Sequence, residues 1–138
     1  MIFVDASAIV AILTREPEDA ALAAALDASP NAITSPIAIY EAVLGICRKR
    51  HSSVAEAQLD IDAFLDAARI QVTPITDGER RAALDAFSRY GKGTGHPAQL
   101  NLGDCFAYAV AKNLGAALMF KGDDFSKTDI ERWDQRRR

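Results

Sequence analysis

Acids at the edges of apolar segments are the residues of this sequence best suited to chemistry. Asp5 directly follows the first apolar run, and the pair Asp123 and Asp124 follows a late one. Asp104 falls in the first turn of a predicted helix, and Glu41 lies beside the apolar stripe of another. A single acid in a first turn is explained by the helix dipole, which stabilises negative charge there. Acids at four such edges instead indicate one shared site.

Carboxylates gathered in one cleft would favour binding of a divalent cation. Two such charges about 4 Å apart repel by roughly 4 kcal/mol at an effective dielectric near 20, so a cluster persists by protonation or by binding a cation. Oxygen ligands suit Mg²⁺ or Mn²⁺, and Mg²⁺ completes its shell with water. Such a metal can activate water and neutralise charge on a phosphodiester. The chemistry implied is metal-assisted phosphodiester hydrolysis.

Alternating strands and helices must position these acids. The predicted strands cover residues 2–4, 32–34, 70–75, 116–120 and, as a short last strand, 130–133. The predicted helices cover residues 6–13, 18–28, 37–50, 53–69, 76–90 and 102–114. This alternation favours one α/β domain over residues 1–138 with a parallel sheet. Asp5 would then stand at the carboxyl end of the first strand, where open α/β sheets bind ligands.

Two helices must present Asp104 and Glu41 to that edge of the sheet. Asn101 is a favoured N-cap residue and Gly115 is a typical helix stop. Gly45 lies one turn after Glu41 and would leave room beside the carboxylate, although a solvated surface position is the alternative for Glu41. The predicted apolar stripes are Leu102, Phe106, Ala109 and Val110 on one helix, and Tyr40, Val43, Leu44 and Cys47 on the other. The inward residues predicted for the helix over residues 53–69 are Leu59, Phe64 and Leu65.

Composition sets broad limits on class and compartment. The 138 residues are 49% hydrophobic and 25% charged with a net charge of −3, so no basic field announces a nucleic-acid partner. The clustering of the sixteen Lys and Arg matters more than their sum. Cys47 and Cys105 fall in apolar helical patterns, as buried thiols of a reducing compartment do. Without a basic leader or an apolar run of spanning length, we expect a cytoplasmic protein with no membrane segment.

Other motifs are weaker. His51 and His96 lack the cysteine spacing of a zinc site. The glycine-rich loop over residues 91–97 resembles a phosphate-binding loop only superficially, because Lys92 is followed by glycine rather than Ser or Thr. The basic run Arg48-Lys49-Arg50-His51 suits the negative end of its helix dipole, and it is also a candidate phosphate-contacting patch.

Four segments together resemble a known family. They are Phe3-Val4-Asp5-Ala6-Ser7-Ala8, Tyr40-Glu41-Ala42, Tyr90-Gly91-Lys92-Gly93 through Leu100-Asn101-Leu102-Gly103-Asp104-Cys105, and Phe120-Lys121-Gly122-Asp123-Asp124-Phe125 through Thr128-Asp129-Ile130. In order and spacing the chain resembles the PIN-domain ribonucleases, and most closely the VapC toxins of bacterial toxin–antitoxin pairs. The resemblance spans nearly the whole chain.

The resemblance implies a fold, a metal and its ligands. The fold is a three-layer α/β/α arrangement around a central, mainly parallel sheet. The catalytic and metal-binding residues, for Mg²⁺ or Mn²⁺, are Asp5, Glu41, Asp104 and Asp124. Asp123 is the substitute for Asp124, which we favour because the family often has a variable polar residue before an acid and Phe in this turn. Ser7 matches a small hydroxyl residue of the family and would help to orient Asp5.

The resemblance also implies an activity and partners. Family members are endoribonucleases that cleave structured RNA, frequently transfer RNA, and often form homodimers. A cognate VapB-like antitoxin typically holds them inactive in a type II toxin–antitoxin system. Because acids gathered in a cleft repel phosphates, cations must rim it. The RNA-contact candidates are Lys49, Arg50, Lys92 and Lys121, with Arg136 to Arg138 as the alternative path for the RNA.

Two other functions suit a small acidic α/β domain. A phospho-acceptor signalling domain would place a lysine after a late strand, as Lys121 could be. It also needs paired acids at the end of its first strand, whereas Ala6 and Ser7 follow Asp5 here. A non-catalytic PIN-like interaction module is the second alternative. Loss of one acid would support it, and all four positions keep theirs.

Overall fold

Four short strands form the centre of the fold. The computed structural model describes residues 1–135, so the predicted alternative RNA path at Arg136 to Arg138 lies outside the described residues. The strands are β1 (Ile2–Val4), β2 (Ala32–Thr34), β3 (Ile70–Val72) and β4 (Ala117–Met119). The helices are α1 (Ala6–Leu13), α2 (Asp19–Ala28), α3 (Pro36–Arg50), α4 (Val54–Ala67), α5 (Asp77–Tyr90) and α6 (Leu102–Leu114). Two short 3-10 turns, Asp124–Lys127 and Trp133–Gln135, follow β4.

The sheet order places β1 between β2 and β4. The order is β3-β2-β1-β4, and every neighbouring pair is parallel. The chain steps outward from β1 to β3 and then crosses to add β4 on the other side of β1. The carboxyl ends of β1 and β4 therefore form a topological switch point, where open α/β sheets bind ligands. Asp5 stands there, and its backbone N–H donates to the Met119 carbonyl at 2.9 Å.

Helices cover both faces of the sheet because side chains alternate along each strand. Phe3, Ile33 and Leu118 face one side, where they pack with α5 and α6. Ile2 and Val4 face the other side, where they pack with α1 to α4. The predicted three-layer α/β/α fold with a parallel sheet is confirmed. No helix among residues 1–135 is long and apolar enough to cross a bilayer.

The helices that frame the site begin at side-chain caps. Ser35 Oγ accepts a hydrogen bond from the Ala38 N–H at 3.1 Å at the start of α3. The Glu79 carboxylate accepts from the Thr76 N–H at 2.8 Å at the start of α5. Each cap satisfies a backbone donor that the first helical turn leaves without a partner. Gly115 ends α6 as predicted, in the left-handed conformation with φ of 65°.

Two strand predictions are wrong in extent. Residues 130–133 form no strand; Arg132 makes a single parallel bridge to Leu118, and a 3-10 turn follows. The third strand ends at Val72, short of Pro74. Proline has no N–H to donate to a ladder, and β3 is an edge strand whose only neighbour within residues 1–135 is β2. The site is unaffected, because neither segment lies at the carboxyl end of β1.

Part of each predicted apolar stripe is also wrong. The exposed members are Tyr40, Leu44, Leu59 and Leu102. On α3, the residues that pack inward are mostly small, with Ala38, Ala42 and Gly45 beside Val43 and Ile46. Small residues let a neighbouring helix approach closely, so the buried face is not the face with the largest side chains. The prediction from periodicity relied on the large apolar side chains and therefore missed the small residues of the buried face.

Candidate active site

Asp5 is held at the end of β1 by a short chain of hydrogen bonds. Its Oδ2 accepts from the Ser7 backbone N–H at 3.1 Å and from the Ser7 hydroxyl at 2.6 Å. Ser7 Oγ in turn accepts from the Lys121 backbone N–H at 3.0 Å. Ser7 thus ties the carboxylate at the end of β1 to the chain just after β4. The side chain of Asp5 is 5% exposed, and burial raises the pKa of this carboxyl.

Asp104 enters the site from the first turn of α6. Its backbone N–H donates to Asn101 Oδ1 at 2.8 Å, while its own Oδ2 accepts from the Asn101 N–H at 3.1 Å. This capping box fixes the carboxylate against the helix start. Burial, with smaller contributions from the charges of Asp5, Asp124 and Glu41, raises the pKa of Asp104 to about 7. The predicted helix start, with Asn101 as the N-cap and Asp104 in the first turn, is confirmed.

Glu41 reaches the same place from the second turn of α3. It is half-buried, and its pKa is raised first by burial and then by the charge of Asp5. Its carboxylate lies against the backbone of Gly103 on α6. A Cβ added at Gly103 would stand 1.9 Å from Glu41 Oε2, far inside any real contact. Gly103 is therefore the residue that makes room for the Glu41 carboxylate.

Gly45 has a different neighbour from the one that its sequence position suggested. An added Cβ there would lie 2.8 Å from Val10 Cγ2. Gly45 lets α1 pack closely on α3, and it lines the same pocket as Glu41. The space directly at the carboxylate comes from Gly103. Gly103 directly precedes Asp104 in the segment that resembles the family. A glycine in the first turn of a helix was the sequence feature that could have indicated a close contact there.

The turn after β4 brings the last acids near the site. Asp124 begins a 3-10 turn and is exposed. After the larger effect of burial, its charge contributes to the raised pKa of both Asp5 and Asp104. The charge of Asp123 contributes instead, after that of Asp134, to the raised pKa of Arg132. Electrostatically, Asp124 is the nearer of the two to the other acids.

One pocket of about 400 Å³ collects Asp5, Glu41 and Asp104. None of the ion pairs among residues 1–135 involves these three acids or Asp124. The pKa values of Asp5, Glu41 and Asp104 are raised first by burial and then by the charges of neighbouring acids, as expected for like charges at close quarters. The pocket therefore holds acid side chains whose mutual repulsion no cationic side chain offsets by direct pairing.

This donor set fits a hard divalent cation by its chemistry. Within residues 1–135, no three Asp, Glu, His or Cys side chains stand close enough to hold one ion together. The acids nevertheless share one pocket and offer only oxygen ligands, as Mg²⁺ and Mn²⁺ prefer. Drawing them closer increases their repulsion, which a bound cation would offset. The pocket thus supplies ligands without a closed coordination shell.

A buried acid that the sequence did not point to closes one side of the pocket. Glu16, which follows α1, forms ion pairs with Lys121 and with Lys49, the latter at 2.5 Å. Hydrogen bonds from these two lysines lower the pKa of Glu16 to about 2. The partners are far away in sequence, at separations of 105 and 33 residues. Local patterns gave no signal for such a contact.

The predicted RNA-contact residues do not share one environment. Lys49 and Lys121 line the pocket but are paired with Glu16. Arg50 turns away, donating to the Leu13 carbonyl and standing 3.6 Å from Asp60. Lys92 is exposed in the glycine loop and is not a lining residue.

Comparisons with known proteins find both a family and relatives that this chain resembles. Residues 2–131 match the family described as PIN domain. A VapC ribonuclease of Rhizobium meliloti is 44% identical over 94% of this chain and 99% of its own. Ribonuclease VapC42 of Mycobacterium tuberculosis is 41% identical over 92% of this chain and 95% of its own.

Solved structures share the fold at low sequence identity. VapC20 of Mycobacterium tuberculosis, described as a sarcin-ricin loop cleaving toxin, superposes with a TM-score of 0.73 at 16% identity, covering 94% of this chain and 96% of its own. VapBC-1 of nontypeable Haemophilus influenzae gives 0.67 at 18% identity, covering 98% of this chain and 100% of that chain.

Proposed function

The chain belongs to the PIN-domain family, among the VapC ribonucleases, and from this premise we propose a metal-dependent endoribonuclease that hydrolyses phosphodiester bonds in structured RNA. Transfer RNA is the proposed substrate class. The biological role is that of the toxin in a type II toxin–antitoxin pair, acting in the cytoplasm. The observation that carries the chemistry is the pocket that Asp5, Glu41 and Asp104 line without ion-pair partners among residues 1–135.

Mg²⁺ or Mn²⁺ would be held by Asp5, Glu41 and Asp104, with Asp124 as fourth ligand and Asp123 as its substitute. When bound, the cation would neutralise charge on the phosphate and activate water for hydrolysis. The part of the pKa rise that comes from neighbouring carboxylates supports this assignment, since a site built to bind a cation concentrates negative charge.

The chain's own groups would set the positions of these ligands. Ser7 orients the Asp5 carboxylate through its hydroxyl, and Asn101 holds one oxygen of Asp104. Gly103 lets Glu41 approach α6 without a clash. Two of the carboxylates are thus held in place by hydrogen bonds, and the third is given room, as positioning of metal ligands requires.

Partners follow from the family membership. We propose a VapB-like antitoxin as the inhibitory partner and a homodimer as the assembled toxin. Among the solved structures of the same fold, one is a toxin–antitoxin complex from Klebsiella pneumoniae, with a TM-score of 0.67 and 18% identity, covering 91% of each chain. Co-expression with the product of a neighbouring small antitoxin gene, followed by measurement of the complex's mass, tests both proposals.

The catalytic assignment is tested by near-isosteric substitutions. Asp5→Asn and Asp104→Asn should lower the rate of RNA cleavage about 10²-fold or more, because charge stabilisation centred on the cation is lost. Asp62→Asn is the matched control, since Asp62 is exposed on α4 and outside the pocket. The assay is cleavage of purified transfer RNA with Mg²⁺, with folding checked by thermal unfolding. Full activity of Asp5→Asn or Asp104→Asn would refute the assignment.

A further inference from the structure

The basic residues around the acid pocket differ in what they already bind. Arg48, Lys49 and Lys121 all line it. Both lysines are paired with Glu16, whose carboxylate sits between them. Arg48 makes no ion pair and no side-chain hydrogen bond with any residue of the described range 1–135. The N–H donors of its guanidinium, which lines the pocket, therefore remain available to a ligand.

The position of Arg48 on α3 directs it to the acids. It lies seven residues after Glu41, two helical turns along the same face. Gly45, between them on that face, has no side chain to block the way. The charge of Arg48 lowers the pKa of Glu41, against the larger rise caused by burial. Arg50 is two residues further on and turns away from the pocket to Leu13 and Asp60.

A phosphate is the ligand that this arrangement favours. The pocket's acids would repel a phosphodiester, and an unpaired cation on their rim would offset that repulsion. A guanidinium presents a planar fork of donors that matches two phosphate oxygens, and it stays charged at any physiological pH. The three cations at the end of α3 are thus one side chain without an acid partner, Arg48, and two that are already paired with acids, Lys49 and Arg50.

We propose that Arg48 is a substrate-contact residue that binds a phosphate of the RNA at the acid pocket. The proposal rests on the proposed ribonuclease function. It assigns the phosphate contact to Arg48 in preference to Lys49 and Arg50, its neighbours on the same helical turn. Those two residues hold the local structure through Glu16 and Asp60.

The experiment compares single substitutions in the cleavage-dead Asp104→Asn protein. Binding of labelled, purified transfer RNA is measured by fluorescence anisotropy with Mg²⁺ over a series of salt concentrations. Arg48→Gln should weaken binding about tenfold and reduce the slope of log affinity against log salt by about one. Arg48→Lys should recover the slope but only part of the affinity, because it keeps the charge and loses the fork. Lys49→Gln and Arg50→Gln are the controls on the same turn.

The alternative is that Arg48 only complements the negative end of α3. Arg48→Gln would then lower the thermal midpoint while leaving affinity and salt slope unchanged, and the proposal would be overturned. Equal losses from Lys49→Gln or Arg50→Gln would overturn it as well. RNA cleavage by the wild-type protein is measured separately, so that this test is distinct from that of the proposed function. If the wild-type protein cleaves RNA, and Arg48→Gln binds and cleaves RNA as well as the wild type, only the Arg48 assignment fails.

Discussion

Replacing Gly103 by alanine should separate activity from stability. The added Cβ would stand 1.9 Å from Glu41 Oε2, so the carboxylate must move by about 1.5 Å to reach ordinary contact at 3.4 Å. A misplacement of about 1 Å in a catalytic group can lower a rate 10²-fold. We therefore expect Gly103→Ala to reduce RNA cleavage by roughly that factor.

The fold should survive the same change. Glu41 is half-buried, and its carboxylate is the far end of a flexible side chain, so it can swing aside. Alanine is also favoured over glycine in a helix by about 1 kcal/mol. The thermal midpoint of Gly103→Ala should equal or exceed that of the parent protein, in the presence of EDTA so that metal binding does not contribute.

The assay pairs initial rates of transfer RNA cleavage with thermal unfolding. Gly78→Ala is the matched control, because a Cβ there meets Thr76 Oγ1 at an ordinary 3.6 Å. It should leave the rate unchanged. In a Glu41→Gln background, Gly103→Ala should cause little further loss, since the group that it displaces is already disabled. Wild-type cleavage by Gly103→Ala, or a full additional loss in that background, would refute the reasoning.

Two other predictions concern acid groups and pH. The pKa of Asp104 rises from 3.8 to about 7 on folding, so the folded protein holds a stabilising proton that it loses as pH rises. In EDTA, the free energy of unfolding of the parent should therefore fall from about pH 4 to 7, and Asp104→Asn should remove that fall. If urea denaturation gives the parent and Asp104→Asn the same change in unfolding free energy across that pH range, this prediction is contradicted. Glu16→Gln should cost about 1–2 kcal/mol at pH 7, discounted for the partly exposed Lys49 and Lys121. Because the pKa of Glu16 is lowered from 4.5 to about 2, this contribution is present above pH 4.5 and vanishes as pH falls towards 2. Glu18→Gln, whose nearest lysine nitrogen is 3.9 Å away, should change stability by a few tenths of a kcal/mol at most.

Local chemistry made the frame of the site predictable. The N-caps Asn101 and Ser35 fix where α6 and α3 begin, and each acts through neighbours three residues away. The strand before Asp5 is a short apolar run, and its parallel pairing follows from the alternation of elements. The family resemblance, now confirmed, placed the acids in order along the chain.

Contacts between distant segments were beyond the reach of sequence patterns. Glu16 meets Lys121 across 105 residues, and Ser7 meets the Lys121 N–H across 114. Gly103 faces Glu41 only because α3 and α6 pack together at the site. Burial was misjudged for the same reason: Leu102 is apolar and in phase, yet it is 68% exposed at the start of α6. Which face of a helix is covered depends on neighbours that periodicity does not specify.

The most direct test of metal-dependent cleavage at this pocket is an add-back experiment on purified protein. The protein is stripped with EDTA, exchanged into metal-free buffer and assayed on transfer RNA with no metal, with Mg²⁺ and with Mn²⁺, beside Asp5→Asn under the same conditions. The proposed mechanism predicts no cleavage after stripping, recovery with either ion, and no recovery for Asp5→Asn. Undiminished cleavage by the stripped protein, or full metal-dependent cleavage by Asp5→Asn, would contradict it.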